Sequence, residues 1–119
     1  MKWKIKWLPE AVKDMEELDR SVKLRVLRAI VKLEDDPLGY GEPLGEKAGL
    51  NLSGMRKLKT ARRYRVVYRV EENAVVVLIV VVGKREDLQA YKTAAKRIAA
   101  YRKKAEAELN HLADLLKFK

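Results

Sequence analysis

The chain has 119 residues, 48% of them hydrophobic, enough for one domain with a real core and too few for two. It holds no cysteine, which excludes disulfides and thiolate metal sites and suits a reducing cytoplasm. Lysine and arginine number 27 against 17 acids, a formal charge of +10, and such an excess favours a polyanionic partner, chiefly nucleic acid, through counterion release.

Trp3, Ile5 and Trp7 alternate with Lys2, Lys4 and Lys6, the period of a half-buried strand. This opening lacks the continuous apolar stretch of a signal peptide. Pro9 suits the first turn of a helix, in which Val12, Met15 and Leu18 fall at helical spacing. Asp19-Arg20-Ser21 offers a turn and an N-cap to a second helix. There Val22, Val26, Ile30 and Leu33 form one row, which Leu24, Leu27 and Val31 widen, and Asp36-Pro37 stops it. From Leu38 to Leu52 the sequence predicts a long loop, with Gly39, Gly41, Gly45, Gly49 and Pro43. No GxxxxGK[ST] pattern makes it a phosphate loop.

After Gly54, three strands are predicted, Met55 to Thr60, Tyr64 to Val70 and Ala74 to Val82, with Glu71-Glu72-Asn73 turning between the last two. The run from Val75 to Val82 is too short to span a bilayer and does not alternate, so it belongs at the centre of the sheet, covered on both faces. Beyond Gly83 there is no glycine or proline, and a helix is predicted from about Glu86 to Lys117. The order gives an α+β fold: an antiparallel-rich four-stranded sheet, an N-terminal helical hairpin and a C-terminal helix.

Between Arg56 and Arg69 lie seven cations and no acid: Arg56, Lys57, Lys59, Arg62, Arg63, Arg65 and Arg69. Strand alternation sets Lys57 and Lys59 opposite Leu58, and Arg65 and Arg69 opposite the row Tyr64, Val66, Tyr68, Val70. Lys84 and Arg85 add to them just past Gly83. A solvated face would mix signs; this one does not, which favours a groove for a polyanion. No metal site or cofactor is expected. The lone histidine, His111, falls in the terminal helix as a surface residue, and no paired carboxylates accompany the basic strands.

The stretches Arg56-Lys57-Leu58-Lys59, Tyr64-Arg65-Val66-Val67-Tyr68 and Gly83-Lys84-Arg85-Glu86 with Tyr91 closely resemble the RelE ribosome-dependent mRNA interferases, whose fold is shared with ParE-like proteins. The resemblance spans about residues 3 to 98. It implies a toxin of a type II toxin–antitoxin system, working in the cytoplasm on mRNA and the ribosome with its rRNA, away from membranes, and blocked by an acidic cognate antitoxin. It implies a catalytic set of Lys57, Lys59, Arg65, Arg85 and Tyr91, leaving Arg56, Arg62, Arg63, Arg69 and Lys84 for RNA binding. The turn between the first two of these strands is one residue shorter than in the archetypal member. Cleavage of this type uses the substrate's 2′-hydroxyl as nucleophile. A lysine has a reference pKa near ~10.4, and crowding among arginines favours its neutral, proton-accepting form. Arginine donors suit the extra charge on a pentavalent phosphate. A ParE-like topoisomerase poison without nuclease activity, or an inactive RNA- or partner-binding module, shares fold and charge but has no use for this set.

The resemblance lapses near Ala99, which divides the chain into a toxin domain, 1–98, and a helical extension, 99–119. Leu109, Leu112, Leu115, Leu116 and Phe118 outrun the core of so small a domain, so the extension is expected to pack in trans, on a second copy as a homodimer or on the antitoxin.

Overall fold

Alternation at the N-terminus produces β1 (Lys4–Trp7), with Ile5 and Trp7 half-buried and the lysines outside, in a computed structural model that describes residues 2–47, 49–84 and 89–117. The chain then enters α1 (Pro9–Glu16) with Pro9 in its first turn, where a missing N–H costs no hydrogen bond. Ala11 and Met15, four residues apart, bury the inner side of α1 with Leu8 beside them. Val12, expected inside, is 41% exposed because it stands one residue, about 100°, off that row.

The second helix, α2 (Arg20–Val31), runs on into a 3₁₀ turn, Lys32–Glu34. Val26, Ile30 and Leu33 are buried as predicted, but Leu24, Leu27 and Val31 are exposed, so the core face is one row wide and not two.

The predicted loop from Leu38 to Leu52 contains a strand. β2 (Glu42–Lys47) pairs antiparallel with β3 (Leu50–Thr60), and the sheet has five strands where four were expected. Buried Leu44 and Leu52 anchor the pair. Its glycines shape the pairing without breaking it: Gly45, at φ 61°, lies at a register shift, and Pro43 is tolerated because β2 is an edge strand.

β3 continues through a tight turn into β4 (Tyr64–Glu71). A 3₁₀ turn, Glu72–Ala74, then leads into β5 (Val76–Lys84). The strand order is β1-β5-β4-β3-β2, antiparallel except for the parallel β1–β5 pair. β4 is thus the central strand. β5, the unbroken apolar run, lies beside it with Val76 to Val82 all buried.

The last helix, α3 (Gln89–Lys117), packs on β3, β4 and β5 through Ala90, Tyr91, Ala94 and Ile98. From Ala99 to His111 every residue is exposed, although the helix continues.

β1 pairs with β5 only as far as Ile79, which would leave the outer edge of β5 bare beyond that point. Side chains complete it. Arg97 of α3 donates to the Val80 carbonyl at 2.9 Å, and Asp14 of α1 accepts from the Val82 N–H at 3.0 Å. The two bind each other through two contacts of 2.7 and 3.1 Å. The pair stands where a neighbouring strand would, and it ties α1 to α3.

On the face away from α3, the Tyr68 hydroxyl lies 2.8 Å from the Pro37 carbonyl and 2.7 Å from that of Tyr40, so its single proton can serve either. Burial raises the pKa of this phenol above its ordinary value, keeping it neutral and able to donate. Gly41 sits against it at φ +70°, where a Cβ would stand 2.5 Å from the Lys57 carbonyl and 2.7 Å from the Tyr68 hydroxyl. Gly41→Ala is therefore expected to cost about 2–4 kcal/mol from backbone strain and overlap together, read by urea unfolding. A cost below about 1 kcal/mol would mean that this turn relaxes freely.

Candidate nucleic-acid interface

The β3–β4 register decides which cations meet. Lys59 lies opposite Arg65 and Lys57 opposite Val67, so Lys57, Lys59 and Arg65 share one face of the sheet. That face is the one α3 covers. Tyr91, in the first turns of α3, accepts a hydrogen bond from Nη1 of Arg65, and the Arg65 guanidinium carbon lies 5.0 Å from the Tyr91 ring centroid. The sequence-predicted Lys57, Lys59, Arg65 and Tyr91 are thus brought to one side of the sheet by three elements, β3, β4 and α3.

Arg65 is unusual in another respect. Its Nε is buried and has no hydrogen-bond partner among the described residues. Such an orphaned donor is costly to keep unless something comes to bind it. Across β5 its register partner is Gly83, where a Cβ would meet only the Val81 side chain, at 3.7 Å. The absence of a side chain there leaves room beside the guanidinium.

The lysines differ from each other. Lys57 is 12% exposed and ion-paired to Glu42 at 3.7 Å, whereas Lys59 is exposed and has no ion pair among the described residues. Glu42 is the residue that sequence reasoning missed. It enters through β2, whose register sets Glu42 against Lys57. Its segment was read as loop, so no strand pairing was there to place it. The acid-free neighbourhood expected for both lysines therefore holds in sequence but not in space.

Arg56 belongs elsewhere. It pairs in register with Tyr68, on the opposite face, and its guanidinium donates to the carbonyls of Leu38 at 2.9 Å and of Tyr40 and Gly41 at 3.3 Å each. Its Nε also donates to the Tyr68 hydroxyl at 3.3 Å. Arg56 fastens the connection after α2, and its donors are spent there. The RNA contact expected of it is not supported by this position.

Arg69 is on the Arg65 face but four residues along β4, about 13 Å away, beside Tyr101 and Arg102 of α3. Arg62 and Arg63 are exposed in the β3–β4 turn, with Ala61 and Arg62 both at positive φ. Lys84 is exposed at the end of β5. Arg85, the remaining member of the expected set, lies outside the described residues, directly after Lys84. Among the described residues no group of acidic, histidine or cysteine side chains could hold a metal ion, and no helix is long and apolar enough to cross a membrane. His111 is exposed on α3.

Residues 5–89 match the family described as the ParE toxin of the type II toxin–antitoxin system parDE. A RelE-like toxin protein of Escherichia coli is 28% identical over 98 residues, covering 82% of this chain and 99% of that protein. Among solved structures, a double arginine-to-alanine variant of the E. coli toxin RelE in its free state superposes with a TM-score of 0.65 at 27% identity. It covers 82% of this chain and 99% of that one. The same RelE variant in complex with a peptide of the antitoxin RelB gives 0.61 at 25% identity, over 79% and 95% of the two chains. The sheet order, the helix across it and these likenesses agree: this chain belongs to the ParE toxin family, within the RelE/ParE superfamily of type II toxin–antitoxin toxins.

Proposed function

We propose that this toxin is a metal-independent endoribonuclease that cuts messenger RNA on the ribosome, in the cytoplasm, until an acidic antitoxin covers its basic face. The observation that carries the reading is the convergence of Lys59, Arg65 and Tyr91 on one face, with a buried guanidinium N–H left without a partner. Superfamily membership supports a toxin, and the RelE complex with an antitoxin peptide supports an antitoxin partner.

The chemistry follows from what these side chains can do. The RNA supplies its 2′-hydroxyl as nucleophile. Lys59, without a carboxylate partner, is placed to take that proton, while Lys57, held by Glu42, contacts the backbone. Arg65 offers its orphaned Nε, and the Nη1 now on Tyr91, to the phosphate oxygens as charge builds in the transition state. Arg85 adds a second guanidinium, and Tyr91 orients Arg65 or stacks on a base. Arg62, Arg63, Arg69 and Lys84 supply phosphate contacts whose worth falls with salt. A site so poor in strong acids and bases depends on the ribosome to hold its substrate in line.

The family description, ParE, favours a second reading: a topoisomerase poison of the same fold. Expression in cells separates the two. Growth arrest with new mRNA ends inside translated codons, and naked RNA left largely intact by purified protein, is the expected result. Arrest with DNA breaks and unchanged mRNA ends gives the second reading.

A further inference from the structure

The part of α3 beyond Ile98 has no role in the reading above. Its apolar face, Tyr101, Ala105 and Leu109 at four-residue steps, continues the line of Tyr91, Ala94 and Ile98 that docks on the sheet. Tyr101 is nonetheless 38% exposed and Leu109 65%. An open groove follows each side of the helix here. Lys104 and Glu108 line one groove, and Arg102, Glu106 and Leu109 the other, while Tyr101 and Ala105 line both. The row is therefore central, with a cation and an acid on each flank.

The order of those charges is informative. On each flank the cation precedes the acid by four residues: Arg102 before Glu106, Lys104 before Glu108. Within a helix this order is the weaker one for an ion pair, and among the described residues neither pair is closed. Between two helices it is self-complementary in one arrangement. If two copies of α3 cross antiparallel about Ala105, the two-fold axis brings matching flanks together with their directions reversed. Arg102 then stands beside Glu106 of the other copy and Lys104 beside its Glu108, each twice. Tyr101 comes level with Leu109 of the other helix, and Ala105 meets itself, small enough for close approach of the axes. A parallel pair sets opposite flanks at one height and brings Arg102 close to Lys104 of the other copy.

We propose that the exposed end of α3 is a homodimerisation surface, whose occupant is the same segment of a second copy, antiparallel and centred on Ala105. The exposed stretch from Ala99 to His111 is about 20 Å long, so the dimer is small and its population follows protein concentration. The proposal is independent of what the toxin cuts, and its test uses neither ribosome nor antitoxin.

The test is sedimentation of the full chain and two charge variants across a concentration series. Arg102→Glu/Lys104→Glu makes the flanks wholly acidic, and Glu106→Lys/Glu108→Lys makes them wholly basic. The unaltered chain is expected to dimerise, each variant alone to be monomeric at the same concentration, and an equimolar mixture to recover a one-to-one dimer. Circular dichroism on each variant checks that α3 persists. A chain that stays monomeric throughout the series, variants that dimerise as well alone as the unaltered chain, or a mixture that stays monomeric overturns the proposal.

Discussion

Arg65→Ala should lower ribosome-dependent cleavage at least ~100-fold, while ribosome binding changes by no more than a few fold. Its guanidinium is the one on this face with a buried N–H left unpaired, and a donor kept idle in the ground state favours the charge that appears only in the transition state. A hundredfold loss corresponds to about 2.7 kcal/mol, within the range measured for removal of one preorganised donor. The other cations share the phosphate contacts, so affinity should move much less. Arg65→Lys separates charge from geometry: an ammonium cannot present the planar fork, and activity should remain well below the unaltered level. Thermal unfolding of both variants controls for lost packing against Tyr91. If Arg65→Ala cleaves at the normal rate, the assignment of this face to the chemistry fails.

Much of this site was legible because it obeys strand alternation. Once Tyr64, Val66, Tyr68 and Val70 are read as one face, Arg65 must lie on the other, and Lys57 and Lys59 follow from Leu58 in the same way. Arg56 shows the limit of the argument. Alternation also separates it from Lys57, yet a run of cations invites grouping by sequence nearness, and only the fold reveals that carbonyls of a distant connection occupy its donors. β2 was hidden for a related reason. Glycines at positive φ normally mark loops, and here Gly45 and Gly49 shape a bulge and a turn inside a strand pair that Leu44 and Leu52 hold down. Glu42 went unseen with it. The narrow core face of α2 has another origin: periodicity marks which residues could be buried, but one sheet offers room for only one row. Leu24, Leu27 and Val31 are left outside.

Neither Asp14 nor Arg97 stood out in the sequence, one among many acids and the other among many cations, yet between them they finish the sheet. Asp14→Ala should therefore destabilise the domain by about 3 kcal/mol, with a midpoint roughly 10 °C lower. Both side chains are less than one-fifth exposed, and removing the carboxylate strands two donors at once, the Arg97 guanidinium and the Val82 N–H. Asp14→Asn keeps an acceptor for Val82 while giving up the charge pair, and should fall between the two. Arg97→Ala leaves Asp14 unpaired and the Val80 carbonyl bare. The double variant, lacking both, should lose less than the sum of the single losses, because no lone charge is left behind. It opens the outer edge of β5 beyond Ile79, a row of backbone groups ready to pair with another chain, so concentration-dependent aggregation should accompany it. Arg97 also lies less than two turns from Tyr91 on the same helix, so loosening it should let the start of α3 drift from Arg65. Cleavage by Asp14→Ala, measured well below its midpoint where the protein is still folded, is expected to drop several-fold for that reason. Single losses that simply add, or an Asp14→Ala protein as stable as the unaltered one, would show that solvent already serves this edge and that the ion pair is ornamental to the sheet.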